Sequence, residues 1–124
     1  MEEKEPKPNA LKEKSFSFAK RVVKLYKYLN ETHKEYVLSK QLLRSGTAIG
    51  ALYRECEYAE SKLDFIHKLG IAQKECNESL YWIELLFHTE YVSESAFNSL
   101  IQDGEELLKL ITSIIKTAKS TINH

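Results

Sequence analysis

Apolar residues recur along most of the chain at alternating spacings of three and four, the period of an amphipathic α-helix. Four such segments, separated by short polar breaks, predict helices over residues 16–30, 36–59, 62–89 and 94–122. Because short connections place consecutive helices antiparallel, the pattern predicts an all-α, antiparallel up-down-up-down four-helix bundle. The second helix carries the most regular seam, formed by Leu38, Leu42, Ser45, Ile49, Leu52, Cys56 and Ala59.

Serine residues mark the predicted starts of three helices. Ser15, Ser61 and Ser93 each precede an apolar segment, and a serine hydroxyl at this position accepts a free backbone N–H. Asp64 stands three residues after Ser61, as the acid of a capping box does. These features indicate where the first, third and fourth helices begin.

The first residues differ in composition from the rest of the chain. They are charged, contain both prolines and show no periodicity, so we predict a disordered tail over residues 1–13 and a bundle domain over residues 14–124. The start has no apolar core of a signal peptide, and no segment approaches the ~20 apolar residues of a membrane span. We therefore interpret Cys56 and Cys76 as reduced thiols of a cytoplasmic protein.

A run of small residues interrupts the second helix. Gly46 and Gly50 lie inside it, where each glycine costs roughly 1 kcal/mol relative to alanine. Close approach of another helix offsets that cost, and that helix belongs either to the same chain or to a partner. Tyr81 and Trp82 on the third helix are further candidates for such packing or for a subunit interface.

The charges are balanced overall but are unevenly distributed. Lys and Arg number 18, as do Asp and Glu, which argues against a strongly basic nucleic-acid binder. Residues 1–35, however, hold nine basic and six acidic residues. The predicted first helix bears a basic strip opposite its apolar stripe, which is either a solvated face or a weak, salt-sensitive contact to nucleic acid. The strip consists of Lys20, Arg21, Lys24 and Lys27.

Charges also fall within the second and third helices, where burial would be costly without partners. They are interpreted either as solvated residues and ion pairs or as a polar constellation in a groove. The candidates for that constellation are Arg44, Glu55, Lys74 and Glu78.

No catalytic or metal-binding pattern emerges from the chain. The sequence has no P-loop, no G-x-S-x-G and no H-E-x-x-H motif. The Glu-x-x-His pairs of di-iron bundles are missing too, although Glu84 and His88 are one helical turn apart. We therefore predict a non-enzymatic protein without a metal or other cofactor.

The central half of the chain resembles a known family. Residues 44–51 read Arg-Ser-Gly-Thr-Ala-Ile-Gly-Ala, and residues 61–69 read Ser-Lys-Leu-Asp-Phe-Ile-His-Lys-Leu. Together with Arg54-Glu55, Lys74-Glu75, Glu78, Tyr81-Trp82-Ile83 and Leu85-Leu86, these runs are similar to the bacterial four-helix-bundle family, also called the 23S rRNA-intervening-sequence protein family. Leu52 departs from the pattern, because the family usually carries asparagine there.

The resemblance implies an up-down bundle that assembles as a homopentameric ring. It also implies kinship with the accessory variability protein of diversity-generating retroelements, a basic pentamer that binds nucleic acid and a reverse transcriptase. The family has no established activity and no catalytic residues to transfer. Two hypotheses follow: a self-associating interaction module, or an accessory protein that binds nucleic acid weakly and without sequence preference.

Overall fold

Four helices account for nearly all of the chain that the structure, a computed structural model, describes: residues 10–122. They are α1 (Ala10–His33), α2 (Leu38–Cys56), α3 (Lys62–His88) and α4 (Glu94–Ile122). Each helix packs on the next one in the chain, and a contact between α1 and α4 closes the ring of four. This arrangement confirms the predicted all-α up-down-up-down bundle. No described helix combines the length and apolar character needed to span a membrane.

The first helix begins earlier than predicted. It starts at Ala10 rather than near residue 16, so residues 10–13 of the predicted tail are helical, and residues 1–9 lie outside the described part. Leu11 explains the difference, because its side chain is only 1% exposed and anchors the extra turn in the core. Ser15 is consequently not an N-cap. It is buried inside α1 and donates its hydroxyl to the Lys12 carbonyl at 3.2 Å.

The other two predicted serine caps are confirmed. The Asp64 N–H donates to Ser61 Oγ at 3.1 Å, and the Ala96 N–H donates to Ser93 Oγ at 3.2 Å. The Asp64 carboxylate in turn accepts the Glu60 N–H at 3.0 Å, one residue before the position usual in a capping box. These bonds satisfy N–H groups that lack partners within the helix.

The core runs along the bundle axis and includes Leu42, Ser45, Ile49 and Cys56 of the seam predicted for α2. The last predicted member, Ala59, lies beyond the end of α2 at Cys56. Leu42 and Ile49 of α2 are at most 1% exposed, as are Leu69 and Ile83 of α3. The contact between these two helices also contains two buried serines. The Ser79 hydroxyl donates to Ser45 Oγ at 2.8 Å. Small side chains here let α2 and α3 approach closely while their hydroxyls remain hydrogen-bonded.

Candidate functional site

The polar constellation on α2 and α3 is an ion-pair cluster at the surface. Arg44 of α2 is 2.6 Å from Glu78 and 3.2 Å from Glu75, both on α3. Trp82 donates its indole N–H to the same Glu78 oxygen that Arg44 contacts, at 2.9 Å. The Trp82 and Arg44 hydrogen bonds hold the pKa of Glu78 below its usual value. The cluster joins α2 to α3 and fixes the orientation of Trp82.

Two members of the predicted constellation lie elsewhere. Glu55 is 3.9 Å from Lys68, near the other end of α2, and is remote from Arg44. Lys74 is exposed on α3 and forms no ion pair with the carboxylates that the structure describes. The Arg44 side chain is itself 52% exposed, so its ion pairs are solvated and individually weak. The cluster therefore has a structural role rather than the features of a buried binding site.

Three of the four residues of the predicted basic strip lie together on α1. Lys20, Lys24 and Lys27 are exposed and line one shallow hollow on the outer face of α1. Arg21 points away from them toward α4, where it pairs with Asp103 at 2.6 Å. The helical repeat explains this, since adjacent residues are separated by about 100° around the axis. Arg21 thus joins α1 to α4 and is not part of the strip.

An aromatic ring extends this basic surface toward α2. Phe16 of α1 is 53% exposed. Lys20 Nζ lies 5.2 Å from the centre of its ring, and Arg54 Cζ of α2 lies 5.6 Å from it. Both distances are within the range of cation–π attraction. The contact between Phe16 and Lys20 could have been predicted from the sequence, because the two residues are one helical turn apart. The contact between Phe16 and Arg54 could not, because it depends on how α1 packs on α2.

The two glycines of α2 face α1. A Cβ atom at Gly46 would be 2.8 Å from Val22 Cγ2, and one at Gly50 would be 3.2 Å from Ser15 Oγ. Both distances are shorter than ordinary van der Waals contacts. Close packing within the chain therefore accounts for these two glycines.

The outer face of α3 presents two large apolar side chains to solvent among its polar residues. Tyr81 is 56% exposed and Leu63 is 68% exposed, while Trp82 is half-buried. The Tyr81 and Trp82 rings meet edge to face at 5.0 Å. Gly70 lies between Leu63 and Tyr81 along the helix, and a Cβ atom there would have nothing within 4 Å. Unlike Gly46 and Gly50, Gly70 is not explained by packing within the bundle.

The described residues show no chemistry that points to a cofactor. Among residues 10–122, no group of three or more His, Cys, Asp or Glu side chains is arranged to hold a metal ion. Cys56 and Cys76 are buried, and desolvation raises their thiol pKa values to about 11 and about 12. Both thiols are therefore protonated and poorly nucleophilic at neutral pH.

Known proteins resemble this chain over most of its length. A crystal structure from Bacteroides thetaiotaomicron, described as a protein of unknown function from the S23 ribosomal protein family, matches with a TM-score of 0.85 and 54% sequence identity. The match covers 86% of this chain and 99% of that one. No curated protein matches the sequence. Residues 7–113 match the model of the 23S rRNA-intervening sequence protein, and the chain therefore belongs to that family.

Proposed function

We propose that the protein is a non-enzymatic interaction module that associates with copies of itself through α3. The observation that carries this proposal is the distribution of apolar residues on that helix. In α4 they are concentrated on one face, whereas in α3 they are spread around the helix. A helix that is apolar on several sides requires more neighbours than one small bundle supplies.

The two large apolar residues that α3 exposes fall on one line, among exposed polar residues such as Lys74. Leu63 and Tyr81 are 18 residues apart, which is five helical turns or about 27 Å, so their side chains project in the same direction. Gly70 lies on the same line between them. A glycine there costs about 1 kcal/mol of helix stability, which close contact with a second helix would offset. We name the line formed by Leu63, Gly70 and Tyr81 the α3 ridge.

A ring of identical subunits fits this surface. The α3 ridge occupies one side of the bundle, so it can pack on a different surface of the next copy, and such a head-to-tail contact closes into a ring when the rotation permits. We propose five subunits, the number that the family resemblance implies. Light scattering on a sizing column is then expected to give five times the chain mass of 14.4 kDa.

Arginine at position 70 is expected to break the assembly without harming the fold. The open space around Gly70 accepts a long side chain, and arginine is a better helix former than glycine. We expect Gly70→Arg to elute as a monomer with at least the helicity of the wild type. Asn98→Arg, which adds the same charge on the exposed face of α4, is expected to leave the assembly intact. A wild-type monomer independent of concentration at micromolar levels would contradict the proposal, as would a Gly70→Arg protein of wild-type mass.

A second candidate function, weak sequence-independent binding of nucleic acid, is favoured by the three lysines of the α1 strip. Lys20, Lys24 and Lys27 share one face and form no ion pair with any described carboxylate. In an assembly the strip would repeat in every subunit, and repeated weak contacts raise avidity. The neutral total charge opposes tight binding, so the affinity is expected to disappear at a few hundred millimolar salt.

Charge reversal of the strip tests this second function by fluorescence anisotropy with a labelled oligonucleotide. We expect Lys20→Glu/Lys24→Glu/Lys27→Glu to abolish binding at low salt. A charge-matched control reverses three exposed lysines of α4 instead: Lys109, Lys116 and Lys119. If the two triple variants bind equally well, the strip is only a solvated face.

A further inference from the structure

A groove that includes the lysine strip follows the outer faces of α1 and α2. It consists of two adjoining hollows of about 280 and 250 Å³, which share Phe16 and Ala19. Among the described residues that line them there is no carboxylate. The cationic side chains of the lining are Lys12, Lys20, Lys24, Lys27 and Arg54. The groove is therefore strongly positive, although the chain as a whole is neutral.

Most of this positive charge is available to a ligand. Lys12 pairs with Glu57 at 3.3 Å, but none of the other four cations forms an ion pair with a described carboxylate. Lys20 and Arg54 contact the Phe16 ring, an interaction that leaves their charge uncompensated. The groove thus concentrates four uncompensated positive charges around one exposed aromatic ring.

The floor of the groove is formed by short side chains. Ala19 of α1 and Thr47, Gly50 and Ala51 of α2 line the hollow that also contains Lys12 and Arg54. Such a floor allows the backbone of an extended ligand to approach the helices closely. Between Lys12 and Lys27, α1 rises about 22 Å, which is the length over which such a ligand could be held.

We propose that this groove binds a single strand of RNA or DNA, whose phosphates draw Lys20 and Arg54 away from the Phe16 ring so that a base stacks on the ring in their place. The proposal rests on the second candidate function and specifies its ligand. A cationic groove with an aromatic platform is the combination that binds unpaired strands without sequence preference. A duplex keeps its bases stacked on each other and cannot offer one to Phe16. An acidic peptide without aromatic or apolar side chains would use the cations but would gain nothing from the ring.

Phe16→Leu separates base stacking from charge. Position 16 is exposed and leucine is a good helix former, so the melting temperature is expected to stay unchanged. We expect this variant to bind a labelled oligothymidylate of about twelve nucleotides roughly tenfold more weakly, the size of one lost base–aromatic stack. Its residual affinity for a duplex of equal length should match that of the wild type. Tyr58→Leu, which removes an aromatic ring that is 87% exposed outside the groove, is expected to bind both ligands as the wild type does.

Each other outcome overturns a defined part of the proposal. Equal binding of the single strand by Phe16→Leu and wild type would remove the stacking role and the preference for unpaired strands, while leaving electrostatic binding by the strip in place. Binding of polyglutamate at least as strongly as the oligonucleotide would assign the groove to an acidic protein. No binding in any arm at low salt would overturn both this inference and the second candidate function.

Discussion

Replacing Gly46 with leucine is expected to lower the free energy of unfolding by about 2–3 kcal/mol. The new Cβ would lie 2.8 and 3.0 Å from the two methyl carbons of Val22, whose side chain is 1% exposed. Valine is β-branched and has essentially one rotamer in a helix, so its methyl groups cannot turn aside. α1 and α2 must therefore separate, and the roughly 1 kcal/mol that leucine gains over glycine in helix propensity does not offset this cost.

Urea unfolding followed by far-UV circular dichroism measures the effect. Ala51→Leu is the matched control, because it introduces the same side chain at an exposed position of α2, and its effect is expected to stay within about 0.5 kcal/mol. Val22→Ala removes both obstructing methyl groups, so the double variant is expected to be more stable than the sum of the single effects predicts. Additive effects, or a Gly46→Leu midpoint equal to that of the wild type, would show that α1 and α2 are not in close contact there.

The fold could be predicted from sequence because the heptad spacing persists through all four helices. The spacing predicts the ends of the helices less well, because a single residue can decide where a helix begins. Leu11 stands seven residues before Phe18 and so continues the spacing of α1, but it is a single apolar residue among charges, and the predicted helix did not include it although it extends α1 to Ala10. Ser15 has the residue type of an N-cap but lies within the helix, since residue type cannot reveal whether a preceding turn is anchored.

The candidate surfaces could be predicted from the sequence only where all of their residues belong to one helix. Lys20, Lys24 and Lys27 share a face by helical geometry alone. Whether Arg21 is paired depends on the position of Asp103, and whether Phe16 has a second cation depends on Arg54. Such contacts join residues of different helices, and their partners follow from interhelical packing rather than from spacing along the chain.

Glu35 is a structural residue that the sequence pattern did not single out. It stands in the polar break between the first two helices, yet it is only 9% exposed. Its carboxylate accepts the N–H groups of Val37, Leu38 and Ser39 at 3.0, 2.8 and 2.8 Å, and the Ser39 hydroxyl donates to the Glu35 carbonyl at 2.9 Å. The side chain thereby satisfies the unpaired donors at the start of α2 and places a negative charge at its positive end.

Glu35→Ala is expected to lower the free energy of unfolding by about 2–3 kcal/mol at neutral pH, since it leaves three backbone donors without a charged acceptor. Glu31→Ala, at an exposed position in the last turns of α1, is the control and is expected to change stability by less than about 0.5 kcal/mol. Thermal or urea unfolding of the two variants beside the wild type measures both effects. Equal losses in the two variants would show that Glu35 does not cap α2.

The stabilisation by Glu35 is also expected to depend on pH. Burial opposes ionisation of this carboxyl, but the N–H donors of Leu38, Ser39 and Val37 outweigh it and hold the pKa below the usual value of 4.5. Because the folded state binds its proton less readily than the unfolded state, the contribution is complete above the usual value and is lost as the pH falls through the lowered one. The stability difference between wild type and Glu35→Ala should therefore be constant from about pH 6 to 8 and shrink below about pH 4.5. The other carboxyl groups titrate in both proteins, so their effects cancel in this difference. If the stability difference persists undiminished at lower pH, packing of the Glu35 side chain, rather than its charge, stabilises the start of α2.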